Sequence, residues 1–288
     1  MPRIPRPRLP FRRKKDVQPP NDDLALIENS DGQGARMSFF SHLNELRIRV
    51  TRAFFAVVIG TFIGFFLADK VLAILQVPYC ELVEQAEQCE LVILGPTGGI
   101  VVFFRVALML GAIIAMPMIT YQVMMFVLPA LKRGEKRIVL LSIPAITILF
   151  LVGVAFSWFI LLRPALGFLE GFQPTIFKPE WTADLYLSFV TSLIFWMGVA
   201  FETPLVLFVL SVLGMVTPGA LARNWRIAIV LSSIAAALIT PTIDPVNMML
   251  VMGPLMGLYA ISIVLTFFGV RINRAGQVDP DVPYSAGA

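Results

Sequence analysis

Apolar residues in this chain arrive in six blocks separated by polar or charged stretches. The first covers about 53–68 (AFFAVVIGTFIGFFLA). The second covers about 100–127 and contains Pro117, and the third about 138–162, with Pro144 near its start. The fourth, about 185–213, is interrupted by GVAFETP. The fifth is short, about 227–239, and the sixth runs over about 246–270. Blocks this long and this uniformly apolar do not alternate as barrel strands do, so they predict membrane-spanning helices. The predicted fold is therefore an all-α integral membrane protein of six transmembrane helices, its fifth and sixth spans short. The fifth reaches only roughly 20 Å against a hydrocarbon core of ~30 Å. It must thin the bilayer, draw on flanking residues, or pack where water reaches part-way in.

Composition agrees: the 288 residues are 57% hydrophobic and 15% charged, where soluble domains carry about 25% charged. A formal net charge of +4 conceals a strong asymmetry. Basic residues crowd ahead of the first block (Arg3 through Lys15, Arg36, Arg47, Arg49), between the second and third (Lys132, Arg133, Lys136, Arg137), between the fourth and fifth (Arg223, Arg226) and after the sixth (Arg271, Arg274). The other connections are poor in Lys and Arg and carry acids such as Glu81, Glu84, Glu170, Asp184 and Asp244. The positive-inside rule then puts both termini in the cytoplasm. Residues 1–36 read as a disordered, basic, Pro-rich cytoplasmic tail without the apolar core of a cleavable signal peptide. Residues 37–270 form the membrane domain and 271–288 a cytoplasmic C-terminal tail. Cys80 and Cys89 share one polar loop: a disulfide if it faces an oxidising compartment, two free thiols otherwise. The orientation places this loop outside and favours the bridge. No metal site is expected, since the one histidine, His42, is in another segment.

Four charged groups stand out. SHLNELRIR, ahead of the first block, reads as an amphipathic helix with Phe39, Leu43, Leu46 and Val50 on one stripe and Ser38 as cap. Glu45 lies four residues before Arg49 and can pair with it, worth about 0.3 kcal/mol. An interfacial anchor is the plain reading of this helix. In FVLPALKRGEKR, Glu135 is a lone acid among four bases, again compatible with an ordinary positive-inside loop. Glu202 sits within the fourth block, where a carboxylate costs roughly 2.5–3.5 kcal/mol and normally meets a cavity or partner. Pro204, two residues on, allows a kink, and Gln122 is a candidate polar neighbour. In LITPTIDPVNMM, Asp244 before Pro245 is placed to cap the sixth helix. A proton-coupled transporter built on Glu202 is the alternative from another class, but no inverted repeat or second deep acid supports it. No nucleophile–base pair or phosphate loop points to an enzyme; GPTGG lacks the Gly-Lys-Ser/Thr ending. No catalytic residue, cofactor or nucleic-acid partner is expected.

Together, HLNELRIR, YQVMMFVLPALKRGEKR, LYLSFV with FETP, and TPTIDP, in this order and on six spans, resemble the TatC family, receptor subunits of the twin-arginine protein translocase. The resemblance covers about 37–270. The N-terminal tail and the cysteine loop lie outside the family pattern, and TPTIDP is one residue longer than its TPPD form. The resemblance implies a concave bundle in the cytoplasmic (inner) membrane, a proton-motive-force-dependent transporter of folded precursors. Glu45 and Glu135 would receive the arginine pair of a signal peptide on a surface shaped by Leu46, Arg47, Phe126, Pro129 and Leu131. Glu202 would contact small single-span TatA-like and TatB-like subunits, and Pro78, in the first outer loop, matches a functionally important position. It further implies homo-oligomers within the receptor complex.

Overall fold

The computed structural model describes residues 39–82, 89–127, 133–173, 181–240 and 244–275. The expected N-terminal tail, Pro129, Leu131 and the C-terminal tail beyond 275 lie outside the described residues, as do the side chains of His42 and Glu135. The chain divides into two units, Met1–Glu45 and Leu46–Ala288. Of the first, only the opening of a helix is described; the packing below belongs to the second.

The described residues are almost wholly helical. In chain order the helices are α1 (Phe39–Leu82), α2 (Gly98–Val127), α3 (Arg133–Phe156), α4 (Leu162–Gly171), α5 (Ala183–Phe201), α6 (Thr203–Val212), α7 (Pro218–Arg223), α8 (Trp225–Ile239) and α9 (Pro245–Ala275). A π-helical turn, Ser157–Leu161, carries α3 into α4 without a break. The stretches Leu43–Glu81, Gly98–Phe126, Ser142–Gly171, Ala183–Val212 and Pro245–Asn273 are long and apolar enough to cross a bilayer, and α8 is the short apolar helix. Six apolar blocks thus become five long helical stretches and one of 15 residues.

Three sequence expectations need correction. The sixth span is not short: α9 runs for 31 residues straight through Pro254, and polar Arg271 to Ala275 continue it past the apolar block. The first span is far longer than its apolar block, because α1 continues unbroken for 44 residues. Asp69 and Lys70 end the greasy run but do not break a helix, and both remain exposed. Pro78 consequently lies inside α1, buried, rather than in an outer loop, and Cys80 occupies the same helix end. One proline removes one backbone bond, and long neighbouring turns on the N-terminal side hold the helix together.

The core is organised around α5, which buries Tyr186, Leu187, Phe189, Val190, Leu193, Ile194, Met197 and Phe201 along its length. It packs against α2 and α3 and touches α8 and α9, while α6 makes the broadest contact with α9. By contrast, α1 turns Phe54, Phe55, Ile59, Phe62 and Phe66 outward, more than half exposed. In hydrocarbon those rings gain nothing from burial, so helix contacts depend on close packing and polar ties. Close packing is visible where α1 crosses α2. A Cβ on Gly60 would collide with the Gly111 carbonyl, and one on Gly111 with the Thr61 backbone. Polar ties sit at the ends: Tyr186 Oη donates to the Leu75 carbonyl at 2.8 Å, and Trp181 packs edge-on to Tyr186. At the start of α8, Arg226 lies 5.7 Å over the Trp225 ring. Trp181 and Trp225 each stand at a helix start, where membrane proteins are enriched in such aromatics.

Replacing Gly111 with Leu should overpack the α1–α2 crossing at a cost of about 1–3 kcal/mol. The check is the unfolding midpoint of detergent-purified protein by tryptophan fluorescence. Gly167→Leu, where an added Cβ meets nothing within 4 Å, should leave that midpoint unchanged.

Candidate functional site

The sequence-predicted residues fall into three regions. At the N-terminal end of α1, Glu45 is half-buried while Leu46 and Arg47 are exposed. Thr51 Oγ1 bonds back to the Arg47 carbonyl at 2.8 Å, a helix-compatible use of a hydroxyl. These residues fall within α1, Phe39–Leu82, ahead of its apolar run. Phe126 is half-buried in the last turn of α2, and Glu135 lies in the first turn of α3. The segment 128–132 joins those two turns and carries Pro129 and Leu131, outside the described residues.

The second region is the end of the central helix. Pro204 has no N–H to donate, and the helical run gives way at Glu202, a turn residue between α5 and α6. The backbone stays satisfied: Glu202 N–H donates to the Val199 carbonyl at 3.1 Å, and its own carbonyl accepts from Leu205 at 3.1 Å and Val206 at 3.0 Å. The side chain does not fare as well. Glu202 Oε1 is buried and accepts no hydrogen bond among the described residues. Gln122, 3% exposed, is likewise left with a buried, unmatched Oε1. Among the described residues its amide reaches Met118 Sδ at 3.8 Å, and no hydrogen bond joins it to Glu202. Beside Glu202, from Ala200 and Thr203 across to Ala228 and Leu258, runs an apolar groove of about 430 Å³. Tyr259 Oη donates to the Leu221 carbonyl there at 2.7 Å.

The third region is the membrane face where α1 ends and α2 and α5 begin. Cys80 and Cys89 are joined by a disulfide, with Cα atoms 5.1 Å apart. Gln76 Nε2 donates to the Cys89 carbonyl. Arg163 grips Glu81 with both Nε (3.1 Å) and Nη2 (3.2 Å), an exposed pair that adds little stability. Asp244 precedes α9 and acts as its cap: Oδ1 accepts from the Asn247 N–H at 2.7 Å and Oδ2 from Asn247 Nδ2 at 3.1 Å. A charged pair that the charge reading passed over lies here too: Arg105, seven residues into α2, bonds Asp184 in the first turn of α5 at 2.8 Å. An arginine within an apolar block is itself the signal, since intramembrane charges are rare and partnered. Among the described residues no cluster of three or more His, Cys, Asp and Glu could hold a metal.

Comparison with known proteins adds the following. A family model described as Sec-independent protein translocase protein (TatC) matches residues 41–254. A Sec-independent protein translocase protein TatC from Aquifex aeolicus is 37% identical over 243 residues, 84% of this chain and 99% of that protein. One from Carboxydothermus hydrogenoformans is 34% identical over 81% of this chain and 93% of its own. Among solved structures, a crystal structure of a twin arginine translocase receptor, TatC, superposes with a TM-score of 0.72 at 38% identity. That match covers 80% of this chain and all (100%) of the other.

A buried carboxylate oxygen without a partner is a debt against stability of about 1–3 kcal/mol. Glu202→Leu should therefore raise the unfolding midpoint of the isolated protein. A lowered midpoint would show that the carboxylate holds the fold together.

Proposed function

Because the chain belongs to the TatC family of Sec-independent protein translocase proteins, we propose that it is the translocase's receptor subunit, binding paired-arginine signal peptides of folded precursors and assembling with small single-span partners. As a member of that family with several bilayer-length helices, it is a multi-pass membrane protein of the translocase. The observation that carries the receptor reading is the placement of Glu45 and Glu135. Each is a single acid set among bases, one on α1 ahead of its apolar run and one in the first turn of α3. Guanidinium is planar, permanently charged and bonds carboxylates bidentately, whereas ammonium is a hydrated point charge. Two separate carboxylates therefore favour Arg-Arg over Lys-Lys. Arg47, Arg49, Lys132, Arg133, Lys136 and Arg137 repel cationic peptides that lack the matching geometry. Leu46, Phe126, Pro129 and Leu131 supply the apolar surface along which the hydrophobic part of the signal enters the bilayer.

Glu202 serves the second half of the function. Its unmatched oxygen is satisfied when a polar residue on the transmembrane helix of a TatA-like or TatB-like subunit reaches it. The adjoining apolar groove receives the rest of that helix. Both termini lie in the cytoplasm in this reading. The short α8 thins the membrane beside the groove. Several copies of the chain assemble in the receptor complex, and the proton gradient drives transport. A proton-coupled transporter would use the same buried Glu202 as a relay but would need no single-span partners.

Two outcomes are expected. Glu45→Ala with Glu135→Ala should cut affinity for an Arg-Arg signal peptide in native membranes at least about tenfold, ~1.4 kcal/mol, and abolish its advantage over Lys-Lys. An unchanged preference in folded protein sinks the receptor reading. Glu202→Ala should reduce co-purification of single-span subunits while sparing signal-peptide binding. Equal loss of both would mark a folding defect instead.

A further inference from the structure

The Arg105–Asp184 pair sits in a cleft that the receptor reading does not use. The cleft measures about 430 Å³ and is lined by Val92, Ile93, Leu94, Val101 and Leu185 around the two charges. That volume falls in the range of roughly 300–1,000 Å³ typical of small-molecule sites. Its opening is framed by an extended segment: the Ala183 N–H bonds the Val92 carbonyl at 2.9 Å, which ties 91–94 to the start of α5. Large apolar side chains stand uncovered at its rim, with Leu94 83% and Leu185 69% exposed.

The charges are only partly used. Arg105 Nη1 makes both of the arginine's hydrogen bonds, to Asp184 Oδ1 at 2.8 Å and to the Asp184 carbonyl at 3.1 Å. Its Nε and Nη2 donors, and Asp184 Oδ2, have no partner among the described residues. The two side chains remain 34% and 52% exposed.

Depth identifies the surroundings. With 30 residues, α2 is about 45 Å long, which matches a bilayer measured through its headgroups, ~40–45 Å. Arg105 lies seven residues, about 10 Å, inside the α2 start. With a headgroup layer of roughly 5–7 Å, the Arg105 Cα lies a few ångström inside the hydrocarbon edge, and its long side chain, tied to Asp184 in the first turn of α5, reaches back toward the lipid phosphates.

We propose that this cleft is a binding site for one zwitterionic, amine-bearing phospholipid of the phosphatidylethanolamine class. The lipid belongs to the leaflet at the α2 N-terminus, the outer one in the orientation proposed above. Its phosphate takes the unused Nε/Nη2 fork of Arg105, a geometry guanidinium provides and ammonium does not. Its primary ammonium donates to Asp184 Oδ2. The glycerol and first methylenes lie on Val92, Ile93, Leu94, Val101 and Leu185. A plus–minus pair matches a plus–minus headgroup, so an anionic lipid satisfies only Arg105. A quaternary choline headgroup has no N–H to give Asp184. The inference needs only membrane placement and is independent of signal-peptide recognition.

The test is native mass spectrometry of the full-length protein in detergent. It is offered an equimolar mixture of phosphatidylethanolamine, phosphatidylcholine and phosphatidylglycerol with identical acyl chains. The wild type should retain phosphatidylethanolamine at least about fivefold over each of the others, roughly 1 kcal/mol. Asp184→Asn should bring ethanolamine and choline lipids to parity while phospholipid is still bound. Arg105→Gln should lower retention of all three, and Asp184→Glu should keep the wild-type order, which separates lipid chemistry from misfolding. Equal retention of the three lipids by wild type, or a preference untouched by Asp184→Asn, overturns the proposal.

Discussion

Much of this structure depends on one helix being packable on most sides. In a bilayer, apolar side chains gain nothing by moving from lipid to protein, so helices cohere through close fit and paired polar groups. α5 supplies the fit with an almost continuous set of buried side chains from Ala183 to Phe201. It supplies the pairing at its first turn, where Tyr186 reaches the Leu75 carbonyl and Asp184 holds Arg105. Its C-terminal end is the opposite case. There the helix yields at Glu202, and a buried oxygen is left without a partner. The same element thus makes polar ties at one membrane face and leaves a carboxylate oxygen unmatched further in.

How far the sequence alone revealed this depended on which physical signal was strong. Long apolar blocks are unambiguous, so the helical membrane fold and the short α8 were readable from hydropathy. Helix ends were not, because hydropathy reports where lipid is and not where a helix stops. Asp69 and Lys70 closed the first block yet the helix passed through them, which moved Pro78 from a loop into a helix. The expectation of a short sixth span fails on its own block, about 246–270, which already has the ~20 residues that cross a bilayer, and α9 extends it to 31 residues. Asp244 was legible as a cap because Asp-Pro carries its own local geometry. The unmatched oxygens of Glu202 and Gln122 were not, since whether two buried polar groups meet depends on how helices cross. Arg105 was hidden by the charge tally itself, which counted connections and skipped residues inside spans.

The proposed sites divide the work by depth. In the proposed reading, Glu45 and Glu135 act at helix ends, where specificity rests on guanidinium geometry. Glu202 acts where water is scarce and one unmet hydrogen bond matters more. The Arg105–Asp184 cleft lies at the far face, where phospholipid headgroups meet the ends of the spans. In that reading, paired arginines select the cargo, the intramembrane acid gathers subunits, and a phospholipid occupies the Arg105–Asp184 cleft.

The central claim is that paired guanidinium groups are read at Glu45 and Glu135. The most direct measurement is site-specific photo-crosslinking from probes placed beside each residue, at Asn44 and Lys136, in native membranes. A nascent precursor would carry either an Arg-Arg or a Lys-Lys signal. The account predicts crosslinks from both positions with Arg-Arg that disappear with Lys-Lys. Crosslinks of equal yield with either signal, in protein shown to be folded, would contradict it.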